Sequence, residues 1–73
     1  MEMKVGQRYN TPRFCTVRIC AMFNSRKEAE DAGFKEPTYW DNDVYGILGR
    51  SIDMYHMEFA GYRKGNGEGW MGV

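Results

Sequence analysis

One short stretch of the chain contains its single histidine and, with it, the best candidate for acid–base chemistry. In "DMYHME", residues 53–58, His56 follows one carboxylate by three positions and precedes another by two. An imidazole oriented by a neighbouring carboxylate is a common general acid–base arrangement. The sequence therefore names Asp53, His56 and Glu58 as candidate catalytic residues of a metal-dependent, nuclease-like cluster.

The same stretch also has the pattern of a strand. If residues 55–64 are extended, His56 and Glu58 share one face of the strand, while Met57 lies on the other. A single Asp-x-x-His spacing arises by chance in many chains, so it is weak support for catalysis. Enzymatic activity is left undecided, and the strand interpretation argues against it.

The sequence predicts no metal site and no other cofactor. Met54, His56 and Met57 offer the soft ligands that reduced copper prefers, but Met57 faces away from His56 on a strand. The segment beginning at Asp41 has the first oxygen ligands of a calcium-binding loop. Ile52 stands where that loop requires a bidentate glutamate, which excludes calcium.

The two cysteines, Cys15 and Cys20, belong to one segment that we predict to be extended. Five strand steps place their backbones about 16 Å apart, whereas a disulfide requires less than about 7 Å. Unpaired cysteines are ordinary in a reducing compartment. The chain shows neither a secretory signal nor an apolar stretch of membrane-spanning length, so we predict a soluble cytoplasmic protein with no membrane partner.

Charges balance overall but are separated along the chain. The 10 basic and 10 acidic side chains cancel, yet residues 4–27 contain six basic side chains and no acidic one. Arg13, Arg18 and Arg63 could form a basic face with aromatic neighbours, which is typical of nucleic-acid binding. A net charge of zero argues against strong phosphate binding by a monomer.

Apolar spacing predicts the elements that must position these residues. In the segment of residues 13–23, the odd positions from Cys15 to Phe23 are all apolar, which indicates a strand with one buried face. Ser25 and Glu28 have capping-box spacing, and Gly33 before Phe34 is typical of a Schellman ending, so a short helix should lie between them. Further strands are predicted over residues 44–51 and 55–64.

A loop is predicted over residues 35–43, and it contains two large rings, Tyr39 and Trp40. Pro37 disfavours helix at the residue before it, and the "DND" string is turn chemistry. Large rings on a short polar loop make strong anchors for a partner. The predicted partner-binding residues are Tyr39, Trp40, Arg50 and Tyr62.

These elements predict one small α+β domain over residues 1–64, in the order β-α-β-β. A short helix should pack on one face of a three-stranded antiparallel-type sheet, and residues before Arg13 could add an N-terminal edge strand. Residues 65–73 include four glycines and are predicted to form a flexible tail. Because one face of such a sheet stays uncovered, we expect a homodimer or a larger homo-oligomer.

Residues 25–64 resemble short uncharacterised proteins of bacterial mobile elements and prophages. The strings that carry the resemblance are "AGF", "EPT", "YGILG" and "DMYHM". It implies no activity and no catalytic residue, but an accessory protein that binds a host protein, such as an inhibitor of host defence of the anti-CRISPR kind. The sequence therefore predicts a non-enzymatic interaction protein, with nucleic-acid binding and metal-dependent nuclease activity as alternatives.

Overall fold

The computed structural model describes residues 2–64, which form five strands and one helix. In chain order they are β1 (Arg8–Thr11), β2 (Cys15–Phe23), α1 (Arg26–Asp31), β3 (Glu36–Asp41), β4 (Tyr45–Ser51) and β5 (Met57–Arg63). The strands form one sheet in the order β1-β2-β5-β4-β3. The β2–β5 pair is parallel, and the other pairs are antiparallel. The tail predicted over residues 65–73 lies outside the described residues.

The predicted three-stranded antiparallel sheet with a helix on one face is wrong. The sheet is mixed, has five strands and curls into a half-barrel, and α1 has only six residues. The strands predicted over residues 13–23, 44–51 and 55–64 are present as β2, β4 and β5, with shorter bounds. β1 occupies the segment that the sequence leaves open as an edge strand.

β3 lies where the sequence predicts a loop, over residues 35–43. It is the last strand of the sheet order, so one side of its backbone has no strand neighbour. Proline is tolerated on such an edge strand because its missing amide hydrogen removes no bond from the interior of the sheet. Pro37 is therefore compatible with β3, and the loop predicted over residues 35–43 is wrong for Glu36–Asp41.

The parallel pairing of β2 with β5 joins the two halves of the chain. Ile19 lies opposite Phe59 and Phe23 opposite Tyr62, although α1 and the β3–β4 hairpin separate these strands in sequence. β1 extends the sheet from β2, and β4 and β3 extend it from β5. A parallel pair has no short connecting turn that would reveal it in the sequence.

A bulge in β2 switches its side chains from one face of the sheet to the other. Its register with β5 shifts between Ile19 and Ala21, so Cys20 is one extra residue. Because side chains alternate along a strand, one inserted residue reverses the face that later side chains occupy. Val17 and Ile19 therefore pack inside the curl, whereas Ala21 and Phe23 pack on the α1 side.

The sheet buries side chains on both of its faces. The inner cluster, inside the curl, consists of Met3, Val17, Ile19, Tyr45 and Ile47. The helix-side cluster consists of Ala29, Phe34, Leu48, Ala60 and Tyr62. The alternation predicted for the last strand is confirmed over residues 59–62, since Phe59 packs against the inner cluster while Ala60 and Tyr62 belong to the helix-side cluster.

The curl of the sheet brings its two edge strands, β1 and β3, into contact. The ring of Tyr9 packs edge-on against the ring of Trp40, with 5.2 Å between the centroids. Beyond β1, Arg13 forms an ion pair with Glu36, with 3.3 Å between Nη1 and Oε1. We call this contact the β1–β3 seam. Both rings pack against the inner cluster, so the seam covers its open side.

α1 begins and ends at the residues that the sequence predicts. The amide of Glu28 donates to Oγ of Ser25 over 3.2 Å, and Gly33 has a φ of +100°. The amide of Phe34 donates to the carbonyl of Ala29 over 3.0 Å, which completes a Schellman motif. A helix of six residues is unstable alone, so α1 depends on the burial of Ala29 and Phe34.

Two glycines of β4 leave room for aromatic rings from β5. Gly46 lies opposite Tyr62, and Gly49 lies opposite Phe59. A Cβ atom added at Gly46 would overlap the Tyr62 ring. Such cross-strand packing of a ring over a glycine stabilises a strand position at which glycine is otherwise unfavourable.

We predict that Gly46→Ala lowers the free energy of unfolding by about 1–3 kcal/mol, the usual cost of overpacking a core. The added methyl group would displace the Tyr62 ring from the helix-side cluster. Urea denaturation followed by circular dichroism measures the loss, with Ser51→Ala, at an exposed position of the same strand, as the control. An unchanged midpoint for Gly46→Ala would show that the ring lies elsewhere.

Candidate functional site

The loop between β4 and β5, residues 52–56, forms the tip of a hairpin, which we call the hairpin tip. The amide of Ile52 donates to the carbonyl of His56 over 2.9 Å. The Asp53 carboxylate accepts from the amide of Tyr55 over 2.8 Å, and Nδ1 of His56 lies 2.8 Å from the same oxygen. Side-chain and backbone hydrogen bonds therefore both hold the tip in one conformation.

The hairpin tip exposes large apolar side chains. Met54 and Tyr55 are 85% and 86% exposed, and Ile52 is also exposed. A single exposed apolar side chain is ordinary on a protein surface, but three within four residues form an apolar patch that is typical of an interaction site. Sequence reasoning missed this patch because it began the strand at Tyr55, whereas β5 begins at Met57.

The three candidate catalytic residues do not form one cluster. Asp53 contacts His56, whose side chain is 71% exposed. Glu58 instead pairs with Arg50, with 2.7 Å between Oε1 and Nη2. Among residues 2–64, no group of three or more His, Cys, Asp or Glu side chains is placed to hold a metal ion. The Asp53–His56 pair is accounted for by its contacts within the hairpin tip.

Arg50 connects the β4–β5 hairpin to the end of α1. Its Nε and Nη2 donate to Oε1 of Glu58 over 2.9 and 2.7 Å. Its Nη1 donates to the carbonyl of Ala32 over 2.8 Å, and the guanidinium group lies 4.4 Å from the ring centroid of Phe34. These contacts give a predicted partner-binding residue a structural role.

The three predicted partner-binding rings differ in exposure. Tyr39 is 72% exposed, Trp40 is half-buried against Tyr9, and Tyr62 is buried in the helix-side cluster. Of these rings, Tyr39 alone presents most of its surface to solvent. Their role in binding stays a prediction, and the structure favours Tyr39 over Tyr62 for direct contact.

A distortion of β3 opens a cleft beside these rings, which we call the β3 cleft. Pro37 and Asp41 pair with β4 residues that are only two positions apart, so the intervening part of β3 bulges out of register. Tyr39 has a left-handed φ of 61°, and the Thr38 hydroxyl donates to the carbonyl of Ile47 over 2.9 Å. The cleft has a volume of about 320 Å³. Its lining includes Pro37, Thr38, Tyr39, Trp40, Ile47 and Leu48.

The arginines predicted for nucleic-acid binding lie far apart. Arg13 pairs with Glu36 at the β1–β3 seam, Arg18 lies opposite Arg8 in the middle of β2, and Arg63 ends β5. Arg13 lies in the turn that precedes β2, whereas Arg63 lies beside the end of β2, so these two arginines belong to opposite ends of that strand. The three side chains therefore do not form one compact basic face.

No family model, curated protein or solved structure matches the chain. Within residues 2–64, no helix has the length and apolar character that crossing a membrane requires. The resemblance to proteins of mobile elements stays a prediction. The hairpin tip and the β3 cleft are the surface features of the described residues that bear on function.

We predict that Tyr39 and Trp40 respond in opposite directions to substitution. Tyr39→Gly removes an exposed ring and the cost of a left-handed φ, so the free energy of unfolding should rise by about 1 kcal/mol. Trp40→Ala removes a half-buried ring from the seam and should lower it by about 2 kcal/mol. Urea denaturation measures both changes. A Trp40→Ala variant as stable as the parent would show that Trp40 is not a core residue.

We predict that the hairpin tip loses hydrogen bonding in acid. The amide of Tyr55 and then the His56 side chain lower the pKa of the Asp53 carboxyl group from its ordinary value of 3.8. Such a group stabilises the folded tip above the ordinary value, and the contribution is lost as the pH falls through the lower, folded value. In an NMR titration, the Tyr55 amide resonance should shift with a midpoint below 3.8.

Asp53→Asn is the matched control for this titration. The asparagine keeps a carbonyl oxygen that can accept from the Tyr55 amide, but it has no proton to gain in this range. The acid-dependent shift of Tyr55 should therefore disappear in the variant. A parent midpoint at or above 3.8 would contradict the hydrogen bonding of the carboxylate.

Proposed function

We propose that this protein is a non-enzymatic binding module that inserts its hairpin tip into a protein partner. The observation that carries the proposal is the exposure of Met54 and Tyr55 on a loop whose conformation Asp53 and His56 already hold. Methionine and tyrosine are enriched at the cores of protein interfaces, where charged side chains are depleted. Full burial of each side chain on binding would contribute about 1.5–3 kcal/mol.

The fixed backbone of the hairpin tip favours binding. Ordering loops and side chains at an interface costs free energy, so a loop that is ordered beforehand loses less on association. The bond from the Tyr55 amide to Asp53 and the bond from the Ile52 amide to the carbonyl of His56 supply this order. The tip therefore resembles a rigid wedge more than a flexible loop that folds on its partner.

The chemistry of the tip fits an apolar pocket with a polar rim. Ile52, Met54 and Tyr55 offer aliphatic, thioether and aromatic surface, and the polar side chains of Asp53 and His56 lie between and beside them. Binding sites commonly surround an apolar centre with polar residues that exclude water. The proposed partner is a host defence protein in the cytoplasm, because the string "DMYHM" that carries part of the mobile-element resemblance includes most of this tip.

The alternatives have weaker physical support. Nuclease chemistry requires Glu58 beside His56, but Glu58 pairs with Arg50. Nucleic-acid binding requires arginines that converge. Homo-oligomerisation through an uncovered sheet face has less support as well, since the sheet buries side chains on both of its faces.

Two matched double variants test the proposal. Met54→Ser with Tyr55→Ser removes the two most exposed apolar side chains of the tip and leaves the Asp53 hydrogen bonds in place. Val5→Ser with Val44→Ser removes exposed apolar side chains elsewhere on the surface. Because all four side chains are exposed, both variants should unfold in urea as the parent does.

Binding is measured by affinity capture from a bacterial lysate with quantitative mass spectrometry, followed by calorimetry with the captured partner. We predict that the tip variant loses at least about tenfold in affinity, which corresponds to about 1.4 kcal/mol. The Val5 and Val44 variant should bind as the parent does. Equal capture by the tip variant and the parent would contradict the proposal, as would equal losses in both double variants.

A further inference from the structure

The β3 cleft has the size and chemistry of a site for one large side chain. Buried Ile47 and Leu48 and the more exposed rings of Tyr39 and Trp40 line its volume of about 320 Å³. Asp41 adds a carboxylate to the lining. An indole suits such a site, because its rings pack edge-to-face with other aromatic rings while its N–H donates to an acceptor.

Lys64 fixes the place from which the chain continues past the described residues. Its amide donates to the carbonyl of Val44 over 2.7 Å, and its ammonium group lies 3.2 Å from Oδ2 of Asp41. Asp41 also lines the β3 cleft. Lys64, the last described residue, therefore lies close to the cleft.

The remaining nine residues are long enough to return to the cleft. Trp70 follows Lys64 by six positions, and six residues span at most about 20 Å. A glycine-rich chain of this length has a root-mean-square extent of about 13 Å. In "GNGEGWMGV" the largest apolar side chains, Trp70 and Met71, follow three glycines, which permit turns that other residues resist.

We propose that the β3 cleft binds the C-terminal segment of the same chain, residues 65–73, with the Trp70 side chain as the anchor. A short glycine-rich tether gives an effective concentration in the millimolar range, so even a weak contact is populated. A partner that uses Tyr39 and the cleft must first displace Trp70. The site is separate from the hairpin tip, because Asp41 pairs near the start of β4 and the tip follows its end.

The experiment uses the full chain and NMR. In the parent, nuclear Overhauser effects should connect the Trp70 indole with the Leu48 methyl groups and the Tyr39 ring. In Trp70→Ala, the Leu48 methyl resonances should shift, whereas Val73→Ala, a change in the same segment, should leave them in place. The circular dichroism of all three proteins should agree, because none of these substitutions removes a residue of the two buried clusters.

Each outcome decides between occupants of the cleft. Nuclear Overhauser effects between Trp70 and Leu48 that keep their relative intensity across a tenfold dilution support docking within one chain. Loss of these effects on dilution would show that a second copy supplies Trp70 and would overturn the proposal. Random-coil chemical shifts for Trp70, with no nuclear Overhauser effect to Leu48, would overturn it as well. Substitutions at Met54 and Tyr55 should leave these effects unchanged, so failure of the hairpin-tip proposal is recognised separately.

Discussion

The parallel register between β2 and β5 determines where every other element of the domain lies. It places residues 15–23 beside residues 57–63, across a connection that contains α1 and the β3–β4 hairpin. Because β2 and β5 are neighbours, β1 lies at one edge of the sheet and β3 at the other. The curl of the sheet brings these two edges together at Tyr9 and Trp40. Without the pairing, the β1–β2 hairpin and the β3–β4–β5 meander would share no sheet.

Burial on both faces of the sheet compensates for the small size of the protein. A domain of this size buries a smaller fraction of its unfolded surface than larger domains do, which leaves little margin of stability. The inner cluster and the helix-side cluster share β4, since Ile47 and Leu48 point to opposite faces. The bulge at Cys20 extends the arrangement to β2, where Val17 and Ile19 belong to the inner cluster and Ala21 and Phe23 pack against the helix-side cluster.

Structural features that depend on neighbouring residues were predictable from the sequence, whereas pairings between distant residues were not. A few adjacent residues decide a helix cap, so Ser25, Gly33 and Phe34 are enough to place α1. The β2–β5 pairing depends on residues forty positions apart and has no local signature. At the candidate site, the contact between Asp53 and His56 was within reach of sequence reasoning. The exposure of Met54 and Tyr55 was not, because strand alternation was extended into a turn that the Asp53 side chain closes.

The distortion of β3 also affects how the protein behaves at high concentration. An edge strand presents a row of free backbone groups on which another chain can assemble, and this is a common route to aggregation. In β3, Pro37 lacks an amide hydrogen and the left-handed Tyr39 breaks the regular pleat two residues later. A foreign strand would therefore find no uninterrupted template along this edge. The irregularity that shapes the cleft thus also favours colloidal solubility.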